Sequence, residues 1–254
     1  AYVRSIGRIS NLRSLNISNN LLYGSVPSSL FSLSNLEELD LYNNDFEGNV
    51  DTKLGTLSSL RHLNVGGNNN LKGFLRFETL TNLETLVLDD LNDGAEVDVQ
   101  SQILPLTKLS ELSLRSVDTS EPFLSDLSTL SALKVLYLDD TDLEGTIGTS
   151  FSALTSLQRL SVKRNFLSGS ILSENFSTLT KLEFLDLSDN SFVGNIPSLP
   201  SSLMELRVEE NDFSGSMDPV CQSSPILEIS LDCQGNSNIE LEINSCTCCN
   251  CTLR

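Results

Sequence analysis

Asn11–Ser34 reads NLRSLNISNNLLYGSVPSSLFSLS, and almost everything downstream is a variation on that line. Leucine-type residues stand at Leu12, Leu15, Ile17, Leu22, Leu30 and Leu33, with Asn20 among them and Gly24 ahead of Val26-Pro27. The line restarts at Leu36, Leu60, Leu83, Leu109, Leu133, Leu157, Leu182 and Leu203, at spacings of 24, 24, 23, 26, 24, 24, 25 and 21 residues. Self-similarity with a period in the twenties marks a solenoid rather than one globular core.

Within one coil, Leu15 and Ile17 alternate with Ser14, Asn16 and Ser18. A period of two builds a strand with one buried face. A single coil cannot bury that face, so neighbouring coils stack their strands in parallel, about 4.8 Å apart. Where the chain leaves each strand, backbone groups turn into the stack, and an amide side chain there satisfies donors and acceptors together. Asn20, Asn44, Asn68, Asn165, Asn190 and Asn211 occupy this slot. Leu91, Val117 and Thr141 fill it in the middle coils, so the asparagine ladder is expected to break there.

The spacing L-x-x-L-x-L-x-x-N-x-L/F-x-G-x-I/V-P resembles the plant-type extracellular leucine-rich repeat, found in receptor ectodomains and in secreted enzyme-inhibitor proteins. Val26-Pro27 and Ile196-Pro197 complete the pattern, whereas the coils starting at Leu83 and Leu109 lack the glycine and the Ile-Pro step. The resemblance implies an α/β-type repeat solenoid: a curved rod with a parallel β-sheet on its concave face and irregular or 3-10 turns on its convex face. It covers residues 1–219 as about nine coils, with 220–254 as a separate cysteine-rich C-terminal cap.

Lys plus Arg number 16 and Asp plus Glu 34, a net charge of −18. That balance disfavours nucleic acid and anionic membrane surfaces and leaves cations and basic protein surfaces as partners. No apolar run is long enough to span a bilayer, and no charged-then-apolar leader is present. Aligning Leu12 on Leu36 starts Ala1 partway through a coil, so the expectation is an upstream segment, either further coils or a cap, together with any secretion leader.

All six cysteines follow position 220: Cys221, Cys233, Cys246, Cys248, Cys249 and Cys251. A last coil needs a cover over its open edge, and disulfides tie down such pieces in secreted proteins. Three bridges are expected, with Cys221 and Cys233 each joined to the cluster at the end. The rival is a zinc site on the thiol-dense C-x-C-C-x-C run, but such sites often draw on histidine, and the one histidine, His62, lies many coils away. This tail also resembles the cysteine-rich ends of secreted leucine-rich repeat proteins of algae such as diatoms. Sequons at Asn16, Asn175 and Asn250 agree with an extracellular setting. Asn175 is expected on the open convex side, and Asn16 outward from the first strand.

The exposed strand positions are where a partner would sit. At the strand exits the chain presents Asp89-Asp90, Arg115-Ser116, Asp139-Asp140, Lys163-Arg164, Ser188-Asp189 and Glu209-Glu210. One reading is a self-neutralising network, since adjacent rungs can pair. The sharper reading is a partner-binding strip of Arg115, Tyr137, Asp139, Arg159, Lys163, Arg164 and Phe184, because aromatics beside arginine anchor interfaces. Calcium on the paired aspartates is disfavoured by Arg115 among them. His62 reads as a solvated strand residue.

The segment around Asp89–Leu106 departs most from the repeat, with alternating Ala95, Val97 and Val99 that suit a short extra strand or a protruding loop. Catalysis has little support, since no Ser or Cys pairs with the lone histidine in any recognisable pattern and no glycine-rich phosphate loop appears. No cofactor is implied. The sequence therefore reads as a secreted or extracellular binding module holding a protein, peptide or glycan on its inner face, the alternative being a structural, matrix or accessory subunit of a larger assembly.

Overall fold

The computed structural model describes residues 6–49, 52–74, 76–91, 95–119, 123–216, 219–220, 228–231 and 241–242. The chain divides into two units, Ala1–Phe123 and Leu124–Arg254. Both are built from the same coil.

In the first unit the strands Ser14–Asn16, Glu38–Asp40, His62–Asn64, Thr85–Val87 and Glu111–Ser113 pair in parallel. Their register runs Leu15, Leu39, Leu63, Leu86, Leu112, so one leucine row faces inward along the whole ladder. A second parallel sheet follows the strand exits: Tyr23–Gly24, Asp45–Asn49, Asn70–Phe74 and Ala95–Glu96. The return paths carry 3-10 turns at Ser28–Ser32 and Thr52–Thr56.

The second unit repeats the plan with Val135–Tyr137, Arg159–Ser161, Phe184–Asp186, Glu205–Arg207 and Glu228–Ser230. Its flanking sheet comprises Glu144–Gly145, Phe166–Ser170, Ser191–Gly194 and Asp212–Phe213. Its returns are the 3-10 turns Leu124–Thr129 and Thr149–Ala153 and one short helix, Ser173–Phe176. Leu36, Leu60, Leu83, Leu109, Leu133, Leu157, Leu182 and Leu203, the coil-start leucines, are all 0% exposed. Burying such rows against the next coil is what makes stacking favourable. Phenylalanines fill the space beneath the returns, and Phe192 and Phe213 stack with centroids 6.0 Å apart.

Each asparagine of the ladder ties two coils together. The Asn68 amide donates to Val65 O and Gly66 O of its own coil and to Leu41 O of the preceding one, while its oxygen accepts from Phe46 N–H. Asn44, Asn165, Asn190 and Asn211 repeat the pattern. Asn20 is exposed and bonds only its own Ile17 and Ser18 carbonyls. The expected break at Thr141 is partial: its hydroxyl lies 2.9 Å from Leu138 O and 3.1 Å from Asn165 Oδ1. Leu91 and Val117 are buried hydrophobics at this slot.

Among the described residues the one just before the slot adopts positive φ in each coil, at Asn19, Asn43, Gly67, Asp90, Ser116, Asp140, Arg164, Asp189 and Glu210. Asn, Asp and Gly tolerate this left-handed turn; Ser116, Arg164 and Glu210 hold it at a cost.

The described part of the irregular segment is a coil of altered shape that includes a short strand. Ala95–Glu96 joins the flanking sheet, Val97 bridges Thr119, and a π-helix at Val99–Ile103 follows. Asp98 caps that helix by accepting from Ser101 N–H at 3.0 Å. The hydrogen bonds from Ser101 hold the Asp98 carboxyl below its ordinary pKa.

Three stretches assigned from sequence to the C-terminal cap are described, one of them Leu241–Glu242, which pairs in parallel with Gly215–Ser216. Val220 is buried, and Glu228–Ser230 adds another rung to the ladder, with Ile229 opposite Leu206. All six cysteines and Asn250 lie outside the described residues.

Candidate functional site

Strand alternation sends two columns of side chains out of the second unit's ladder. The register gives them as Val135, Arg159, Phe184, Glu205, Glu228 and Tyr137, Ser161, Asp186, Arg207, Ser230. Diagonal reach between columns then builds one cluster. Arg159 Nε donates to the Tyr137 hydroxyl at 2.8 Å. The Arg159 guanidinium carbon stands 4.3 Å from the Phe184 ring centroid, and that of Arg207 stands 5.4 Å from the same ring. Cations over an aromatic ring are attracted by its quadrupole.

Arg207 is held from its other side by carboxylates, with Glu205 at 2.5 Å and Asp186 at 3.8 Å. Asp186 is 3% exposed and accepts from Ser188 N–H and Ser188 Oγ–H. Burial is the largest influence on it and pushes its carboxyl above the ordinary range; the Ser188 hydrogen bonds oppose this, Glu209 adds to the rise and Arg207 opposes it. Arg207 in turn is pushed up by its carboxylate neighbours, against its own burial. Asp139 accepts from Ser161 Oγ–H and from Lys163 N–H at 3.1 Å.

The seven residues singled out from sequence are thus distributed as follows. Tyr137, Arg159 and Phe184 come together, with Asp139 and Lys163 one turn further along the strand exits. Phe184 is not the exposed aromatic expected, because two guanidinium groups cover it and leave 7% exposed. Arg164 sits at the positive-φ turn, 3.6 Å from Asp189. Arg115 belongs to the first unit, where it pairs with Asp89 at 3.3 Å. The sequence reading missed Arg207, Glu205 and Asp186, although their outward positions followed from the same alternation that placed Arg159.

The first unit's ladder is mainly self-paired. Arg13 bonds Glu37, Arg61 bonds Glu84 and Asn16 bonds Asp40. His62 is exposed, with Nδ1 3.1 Å from Thr85 Oγ1. Arg159 differs from these arginines: among the described residues no carboxylate pairs with it.

Of the sequons, Asn16 is exposed. Asn175 is not on an open surface: its side chain is 1% exposed, and its oxygen accepts from Leu172 N–H at 2.8 Å. A glycan there would have to displace that contact and the packing around it, which corrects the expectation of a free convex position. Among the described residues no cluster of side chains suits a metal ion, and no helix is long and apolar enough to cross a membrane.

Leucine-rich-repeat family models match residues 11–33, 35–57 and 131–192. Receptor-like protein 41 of Arabidopsis thaliana is 34% identical over 151 residues, which is 58% of this chain and 17% of that protein. Receptor-like protein EIX2 of Solanum lycopersicum is 26% identical over 167 residues, 65% of this chain and 16% of that one. The chain therefore spans about a sixth of these relatives' length. Among solved structures, the Arabidopsis HAESA ectodomain with an extended IDA peptide hormone superposes with a TM-score of 0.75 at 26% identity, covering 91% of this chain and 43% of that one. The plant peptide hormone receptor RGFR1 in complex with RGF2 gives 0.72 at 26% identity, covering 90% and 42%.

Proposed function

Since the chain is a leucine-rich-repeat protein similar to plant receptor ectodomains, we propose that it is a non-catalytic extracellular recognition module that holds a peptide or protein segment on the ladder face of its second unit. The observation that carries this is Arg159. Its Nε is committed to Tyr137 and its guanidinium is placed against Phe184, while no carboxylate neutralises it. A long side chain fixed in this way has already lost its rotamer freedom, so a ligand meets it without that cost. Arginine and aromatic side chains together are the residue types that dominate interface energetics.

The similar ectodomains seen with peptide hormones, IDA and RGF2, support a peptide as the ligand class. Secretion fits the same reading. The structural or matrix alternative draws on the net charge of −18. An association of that kind releases as salt rises, whereas a packed aromatic contact persists.

The test is a displayed random-peptide library selected on the immobilised protein, with the selected peptides measured against Arg159→Gln and Phe184→Ala. Peptides that lose roughly tenfold or more in affinity on both variants support the assignment. Peptides that bind both variants as well as the parent protein overturn it.

A further inference from the structure

The flanking sheet of the second unit carries a different surface. Phe166 is 62% exposed on the strand Phe166–Ser170, and Val193 is 41% exposed on the neighbouring strand Ser191–Gly194. Register sets them in a staircase: Glu144 opposite Phe166, Ser168 opposite Ser191, Ser170 opposite Val193, and Val193 opposite Asp212. The repeat does not ask for an apolar residue at the Phe166 position. Other coils of this unit place Asp142, Ser191 and Asp212 there, directly after the ladder slot.

Charge pairing differs between this flank and the centre of the ladder face. On the ladder, Asp186, Glu205 and Asp189 each have an arginine partner. On the flank, the exposed carboxylates of Asp142, Glu144 and Asp212 have no hydrogen bond or ion pair from any described residue. In the first unit Tyr23 is similarly exposed opposite Asp45, but Asp45 already accepts from Asn70. On the second unit's flank each exposed apolar residue faces a carboxylate that no described residue engages, Glu144 at Phe166 and Asp212 at Val193.

We propose that this flank docks an extended cationic polypeptide that alternates lysine or arginine with apolar side chains, successive apolar groups covering Phe166 and Val193 in turn and the cations meeting Glu144 and Asp212. An apolar contact ringed by charges supplies both burial and orientation, and the acidic field draws a cationic partner in.

The test is a titration of the isotope-labelled full chain with a short synthetic peptide of alternating lysine and leucine, followed by backbone amide shifts. Shifts confined to Glu144–Gly145, Phe166–Ser170, Ser191–Gly194 and Asp212–Phe213 are expected. Phe166→Ser is expected to weaken binding roughly tenfold with unchanged thermal unfolding, since the ring is exposed. The pair Glu144→Gln with Asp212→Asn should remove most of the salt dependence. The proposal is overturned if oligolysine binds as tightly, if Phe166→Ser has no effect, if a neutral β-glucan oligosaccharide produces the same footprint, or if the shifts fall on the ladder face.

Discussion

Arg159 stands over the ring of Phe184, one rung along the ladder, with its guanidinium carbon 4.3 Å from the ring centroid. Cation–aromatic contacts of this kind are worth about 1 kcal/mol when partly desolvated. A double-mutant cycle of Arg159→Ala and Phe184→Ala, followed by urea unfolding, should therefore return a coupling of about that size. Additive losses would mean that the two groups are neighbours without being partners.

Ladder asparagines should differ in worth according to how many coils they join. Asn68→Ala strands the buried Val65 carbonyl and the Phe46 N–H and weakens the bonding of two further carbonyls, and should cost about 3 kcal/mol. Asn20→Ala removes two exposed bonds within one coil and should cost about 1 kcal/mol or less. Equal losses in chemical denaturation would contradict the cross-coil role.

Ser116 holds φ at 53° where most other coils use Asn, Asp or Gly. Ser116→Gly should raise stability by about 1 kcal/mol, because the left-handed turn then carries no Cβ penalty. A lower unfolding midpoint would show that the serine side chain matters more than the turn.

Asp186 has a carboxyl pushed above its ordinary value of 3.8 chiefly by burial. The folded chain therefore binds this proton more tightly than the unfolded chain does. The stability that this adds is full below the unfolded value and is lost as pH rises through the folded one. Asp186→Asn keeps an oxygen for Ser188 and removes the loss. Relative to the parent protein it should gain stability as pH rises from below 3.8, and the difference should level off above the folded value. Denaturation curves across that range check the sign, and a difference that shrinks with rising pH would contradict it.

Much of this was legible in the chain because the coil repeats its own signals. The coil-start leucines and the Asn44, Asn68, Asn165 and Asn211 slots were placed by period alone, and each is buried. Thr141 was harder to read, since a hydroxyl does part of an amide's work only when the next coil's Asn165 lies within reach. Asn175 was misplaced because a sequon says nothing about burial, and here the residue lies within the short helix Ser173–Phe176 with its side chain turned in to accept from Leu172 N–H. Phe184 reads as exposed until Arg207 is known to reach it diagonally, which depends on the register of the next rung. Arg207 itself lay in the same outward column as Tyr137, but only the pairing of strands brings them into one cluster.

The most direct test of the recognition strip is a crystal structure of the full chain with a peptide selected for binding. Density for the peptide across the strands Val135–Tyr137 to Glu205–Arg207, with a group bonded to the free end of Arg159, is the predicted result. A peptide seated elsewhere, with the Tyr137–Arg159–Phe184 cluster left bare to solvent, would contradict it.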